Sequence, residues 1–215
     1  MLRWKDTNEW CLPGGFIYKE ESVDTAAERV LRERTGLGHI YLQQFHLFGE
    51  AVRYDWQDTW QRQQIPFPFG SRWPKRTISA GYYALVDYTK VTPTTDFMSD
   101  ECSWWDISEL PSMLYDHRNI VDVALKTIRL QLNWQPIGLN LMPEKFTIPE
   151  LQRLYEAVLD RPLDARNFHK KITGLNILKR LDERRTGGAH KSPYLYQFDE
   201  DNYQKALING NLIFI

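Results

Sequence analysis

Residues 161–191 hold nine basic side chains against three acidic ones. Within them, Arg166, Asn167, Lys170 and Lys171 fall on adjacent turns of one predicted helix, opposite the apolar pair Phe168 and Ile172. An arginine can bind guanine through two hydrogen bonds, an asparagine can bind adenine, and lysines neutralise phosphate. Together these side chains have the chemistry for reading double-stranded DNA. His169, on the same helix, is either a phosphate contact or a structural residue. Further along, Arg184, Arg185, His190 and Lys191 carry the basic surface across a glycine-containing hairpin tip, Glu183–Pro193. Such a tip would lie along the backbone or the minor groove. A solvated basic face with scattered ion pairs has the same composition.

The elements around these residues follow a recognisable order. Thr147-Ile148-Pro149-Glu150 has the pattern of a capping box, with proline in the first turn, and a helix through Leu151, Leu154, Tyr155 and Val158 follows. Asp164 is placed to cap the next helix. Ile177–Leu181 and Tyr194–Phe198 read as strands on either side of the basic tip. Helix, helix, strand, basic loop, strand is the order of a winged helix-turn-helix. Asn133–Pro143 contains both Gly138 and Pro136, so the expected division is residues 1–135 and 143–215. Charge divides the same way: residues 1–144 balance to −4 and residues 145–215 to +3. Opposite signs fit a two-part protein with one end facing nucleic acid.

The amino-terminal part reads as strand, loop and helix. Val23, Ala26, Ala27, Val30 and Leu31 recur at helical spacing between Ser22 and Thr35, and Gly36 would stop that helix. Strand-like runs follow at 41–48, 77–86 and 103–106. A polar and aromatic insertion, Asp55 to Lys75, separates the first two. Ile107 to Leu114 reads as a turn and short helix capped by Ser108, and Asn119 to Leu132 as an amphipathic helix.

Gly15, Glu21, Arg29, Leu31, Glu33, Gly36 and Leu37 match, at the correct spacing over 23 positions, the Nudix box G-x5-E-x7-R-E-U-x-E-E-x-G-U. The segment therefore resembles the Nudix family, which implies an α/β/α sandwich around a mixed sheet. In that family the glutamates of R-E-U-x-E-E converge on one helix face and share Mg²⁺ with a diphosphate. Here Val30 and Arg34 replace two of them, and a fixed guanidinium opposes a cation. Mg²⁺ is implied only under a hydrolase reading, and no cofactor is expected otherwise. Gly15 follows only fourteen residues, fewer than the one or two strands that usually precede the box. Met1–Trp4 is then expected to be the remnant of a strand.

The whole chain resembles the Nudix-related transcriptional regulators of the NrtR-like group. Trp10–Phe16, Ile78–Leu85, Pro136-Ile137-Gly138, Phe146-Thr147 leading to Glu156, and Asp164–Lys171 carry the likeness. The resemblance implies an α/β (α+β) fold, a Nudix sandwich with a C-terminal winged helix. It also implies a homodimer that binds operator DNA and is released by a small effector, ADP-ribose or a pentose such as arabinose. A silent Nudix pocket would be lined by Glu21, Arg29, Glu33 and Arg53. Trp56, Trp60, Phe67, Phe69 and Trp73 would stack on the effector, or would pack the insertion onto its own domain or a partner. The alternative is a metal-dependent hydrolase of ADP-ribose or another nucleoside diphosphate derivative.

Composition excludes other classes. The chain has 215 residues, 42% hydrophobic and 26% charged, as a globular protein does. No window reaches the roughly 18 apolar residues of a membrane span. Met1–Asp6 lacks the apolar core of a signal peptide. Cys11 and Cys102 are too few for a disulfide framework, and a cytoplasmic protein with reduced thiols is expected.

Overall fold

The computed structural model describes residues 1–5, 8–35, 40, 42–53, 76–95, 99–132, 136–139, 141–186 and 192–209. Packing divides the chain into two units, Met1–Leu125 and Lys126–Ile215, and the division falls inside a helix. Gly36, Leu37, the Asp55–Lys75 insertion, His190 and Lys191 lie outside the described residues.

The first unit contains β1 (Leu2–Trp4), β2 (Trp10–Cys11), α1 (Val23–Thr35), β3 (Gln43–Phe48), β4 (Ser79–Tyr83), β5 (Ser99–Cys102) and the start of α2 (His117–Gln131). The segment expected to be a strand remnant forms β1, the centre of a three-stranded antiparallel sheet between β2 and β5. Leu2 faces Cys11 on one side and Cys102 on the other. Arg3 binds Asp100 and Glu101 of β5, each at 2.9 Å. Strand β5 is a correction to the sequence reading, which placed a strand at 103–106. The aromatic pair Trp104-Trp105 suggested one, but Trp104 is half exposed, and the polar run Ser99–Cys102 is held by Arg3 and the β1 backbone. Asp106, not Ser108, caps the following 3-10 turn by accepting the Ser108 amide at 2.8 Å.

Strands β3 and β4 form a two-stranded antiparallel sheet, shorter than the expected 41–48 and 77–86. Gly81 is needed there, since a Cβ would come within 2.7 Å of Phe45 and 2.9 Å of Phe48. Among the described side chains of helix α1, Ala26 alone is buried. Val30 lies over Gly15 so closely that a Cβ on the glycine would be 2.6 Å from a Val30 methyl.

The second unit contains the end of α2, then α3 (Ile148–Leu159), α4 (Ala165–Gly174), β6 (Leu178–Arg184), β7 (Tyr194–Phe198) and α5 (Glu200–Asn209). The expected capping box is present: Thr147 Oγ1 accepts the Glu150 amide at 3.4 Å, and Glu150 accepts the Thr147 amide at 2.7 Å. Leu132, Phe146, Ile148, Leu151, Tyr155, Phe168, Ile172, Ile177 and Tyr203 form the core. Leu132 explains why the end of α2 belongs here: its side chain is fully buried in this core. Gly138, at φ 129°, sits where Phe198 and Leu151 would lie 3.0 and 3.1 Å from a Cβ, so both backbone and space require glycine. Helix α5 was not expected. It is anchored by Tyr203, and Asp199 accepts the Asn202 amide at 3.2 Å before its first turn.

Candidate functional sites

In the box segment, Arg29 is the hub. Its Nη2 and Nε donate to the two Glu21 oxygens at 2.7 and 3.1 Å, Nη1 donates to Glu33 at 3.2 Å, and Nη2 also donates to the Phe16 carbonyl at 2.8 Å. The guanidinium lies 4.2 Å from the centre of the Tyr18 ring. The Arg29 hydrogen bonds and the Tyr18 amide hold the Glu21 carboxyl below the usual carboxylate range, while Glu21 raises Arg29 further. The structure thus brings Glu21, Arg29 and Glu33 together around a cation the protein itself supplies. Among the described residues no group of three or more His, Cys, Asp or Glu side chains is placed to hold a metal ion. Both surviving carboxylates already face Arg29, Val30 packs over Gly15 in place of a ligand, and Arg34 points a nitrogen to within 3.5 Å of the Gly14 carbonyl.

Arg53 does a different job from the pocket role assigned to it. Its Nε and Nη2 donate to both Asp116 oxygens at 2.8 and 2.9 Å, and Nη1 donates to Ser79 Oγ at 2.8 Å and to the Phe48 carbonyl at 3.3 Å. The side chain is 5% exposed, so it ties β3, β4 and the start of α2 into one core. Beside it, His117 Nδ1 accepts the Leu12 amide at 3.1 Å. Burial pushes the His117 imidazole down to about 4, against an upward pull from Asp116 and with a further downward push from Arg53. Sequence reasoning missed this lock because Arg53 and Asp116 are 63 positions apart and nothing local links them.

In the second unit, Asp164 caps α4 by accepting the Asn167 amide at 2.8 Å, a contribution of about 1 kcal/mol. Phe168 and Ile172 are buried, while Arg166, Asn167, His169, Lys170 and Lys171 are all exposed. Among the described residues none of these five side chains has a hydrogen-bond or ion-pair partner within the protein. Helix α4 therefore presents uncompensated positive charge and hydrogen-bonding groups to solvent.

On the hairpin the expected residues separate. Arg184 is exposed, donates to the Ser192 carbonyl at 2.8 Å and lies 3.9 Å from the Tyr194 ring centre. Arg185 is engaged elsewhere: Nη2 contacts both Glu150 oxygens at 2.5 and 2.6 Å, which ties the wing base to the first turn of α3. Burial favours the neutral Glu150 carboxyl, but Arg185 and Thr147 outweigh it and leave the group below its ordinary range. Arg180, 4.7 Å from the same Tyr194 ring, was not singled out from sequence. The missed signal was an arginine four positions before Arg184, with a tyrosine opposite on the paired strand.

The NUDIX domain family matches residues 2–124, and the NrtR DNA-binding winged helix domain family matches residues 138–198. The chain belongs to the Nudix family. Its Nudix domain is followed by a winged-helix domain of the NrtR kind, a mixed helix and strand architecture. It is similar to the ADPR responsive transcriptional repressor NtrR of Acinetobacter baylyi, with 24% identity over 198 residues, 90% of this chain and 71% of that protein. The crystal structure of Shewanella oneidensis NrtR superposes with a TM-score of 0.71 at 22% identity, covering 94% of this chain and 87% of that one. The same protein complexed with a 27mer DNA gives 0.66 at 21% identity, covering 89% and 80%. A MutT/nudix family protein from Enterococcus faecalis gives 0.61 at 18%, covering 92% and 78%.

Proposed function

We propose that the protein is a DNA-binding transcriptional regulator whose Nudix domain senses a small ligand without hydrolysing it. The observation that carries this reading is helix α4: capped, anchored by two buried apolar residues, and bearing five exposed polar or cationic side chains that the described protein leaves unpaired. A similar regulator is described as ADPR responsive, which favours ADP-ribose over a pentose such as arabinose as the effector. The protein acts as a homodimer on operator DNA, in the cytoplasm where that DNA lies. No helix among the described residues is long and apolar enough to cross a membrane. Gel shifts against the DNA upstream of the chain's own gene, over a range of salt concentrations and with ADP-ribose or arabinose added, test the reading. Specific binding that the effector relieves is the expected result; no specific complex at any salt would overturn it.

Metal-assisted hydrolysis is the competing reading, and the Arg29 hub argues against it. With Mg²⁺ and ADP-ribose the protein should show no turnover approaching that of ordinary enzymes, roughly 1–10³ s⁻¹. Val30→Glu combined with Arg34→Glu restores the missing carboxylates and is the informative companion. Turnover in the unaltered protein at enzyme-like rates would establish the hydrolase instead.

A further inference from the structure

The irregular pairing of β6 with β7 builds a feature that a regular hairpin would not have. Leu178, Lys179 and Arg180 face Phe198, Gln197 and Tyr196 in strict antiparallel register. Continued without interruption, that register would set Asp182 opposite Tyr194. Instead β6 carries two extra residues between Arg180 and Arg184, and Arg184 faces Tyr194. An acidic side chain is thereby replaced by a cationic one. Arg180 and Arg184 both lie over the same aromatic ring, at 4.7 and 3.9 Å from its centre. Both are exposed, and among the described residues neither is paired with a carboxylate. Two like charges held on one ring repel each other, and a cation–π contact at an exposed site contributes only about 0.5–1 kcal/mol. The arrangement therefore favours an anion that both guanidiniums can share, and arginine's planar fork suits phosphate oxygens.

We propose that Arg180 and Arg184 form a paired phosphate clamp for the DNA backbone on the wing, with Tyr194 as the positioning residue that holds both guanidiniums in place. This rests on the DNA-binding reading, in which Arg184 is already expected on the wing, and adds to it Arg180 as a second cation and Tyr194 as the ring that holds both. The ring pre-orders two flexible side chains, so less of their freedom is lost on binding. Arg185, kept on Glu150, fixes the base of the wing and is not part of the clamp.

The test is the salt dependence of binding to a short random-sequence duplex, measured by fluorescence anisotropy on the full chain. Each neutralised phosphate contributes about 0.9 to the slope of log K against log salt. Arg180→Ala and Arg184→Ala should each lower that slope by about 0.9, and the double variant by roughly twice as much. Tyr194→Leu keeps both charges, so it should weaken binding with little change in slope. Tyr194→Phe retains the ring and should bind like the parent. Thermal melts of each variant exclude unfolding as the cause. An unchanged slope in both arginine variants, or a Tyr194→Phe loss as large as that of Tyr194→Leu, would overturn the clamp. Lys170→Ala with Lys171→Ala serves as the reference for helix α4. If it lowers the slope while the wing variants do not, the clamp fails and DNA binding stands; if the parent binds no duplex, the DNA reading fails with it.

Discussion

Asp116→Ala should lower the stability of the first unit by about 3–5 kcal/mol, the usual cost of stranding one member of a buried ion pair. Arg53 is only 5% exposed, and Asp116 accepts two of its hydrogen bonds at 2.8 and 2.9 Å. Ser79 and the Phe48 carbonyl, which accept from the same guanidinium, are both neutral, so Asp116 is the carboxylate at its 2.8 and 2.9 Å contacts. Seven of the eight tryptophans precede residue 126, so urea unfolding followed by tryptophan fluorescence reports mainly on this unit. Arg53→Met together with Asp116→Leu removes both charges and should recover most of the loss, because desolvating the pair is itself costly. A single variant that costs less than about 1 kcal/mol would show that the pair is not a structural lock.

The same core makes the unit acid-sensitive in a defined window. His117 has its folded value lowered to about 4 by burial, from an ordinary value near 6.5. Below about 6.5 the unfolded chain binds a proton that the folded core refuses, so stability falls progressively between about pH 6.5 and 4, by an amount on the order of 3 kcal/mol. Above that window the group contributes nothing to the pH dependence. His117→Asn should flatten this part of the profile.

How much of this was legible depends on the range of the interaction. The capping box at Thr147-Ile148-Pro149-Glu150, the Asp164 cap and the spacing of Phe168 and Ile172 are local signals, and the structure carries each of them. The box residues Glu21, Arg29 and Glu33 are likewise close in sequence, and they meet through Arg29. Arg53 was misplaced because its partner lies on another element and only the packed fold brings the two together. Strand β5 was misplaced for a related reason: its four residues are polar, and its strand character comes from pairing with β1, whereas the apolar Trp104 and Trp105 next to it lie outside the ladder. The wing pair escaped notice because it depends on two extra residues in one strand, and period-two alternation cannot reveal a bulge. Glu150 shows how one residue can serve two purposes: the sequence marks it as a cap, while its hold on Arg185 appears only when the hairpin folds back.

Arg166→Ala combined with Lys170→Ala should abolish most discrimination between operator and random DNA, and the two losses should differ in kind. Arg166 stands in the first turn of α4, where a recognition helix enters the major groove, so it is expected to read a base. Its removal alone should cost roughly 1–3 kcal/mol on the operator, about 5- to 150-fold in affinity, and relax preference at one base pair. Asn167 beside it is the expected adenine contact. Lys170 lies one turn later, where the helix leaves the bases, and its loss should weaken all sequences alike and lower the salt slope by about 0.9. Asp164→Ala separates these effects from simple unfolding, because the cap acts on helix stability and leaves the charges in place. Competition titrations of parent and variants against operator and scrambled duplexes measure each term. If the double variant still told operator from random DNA as well as the parent, α4 would not be the reading element. With Arg185 held by Glu150 and Arg180 and Arg184 lying over one ring, the wing could then hold backbone but offers no exposed asparagine or unbraced arginine among its described residues to read a base.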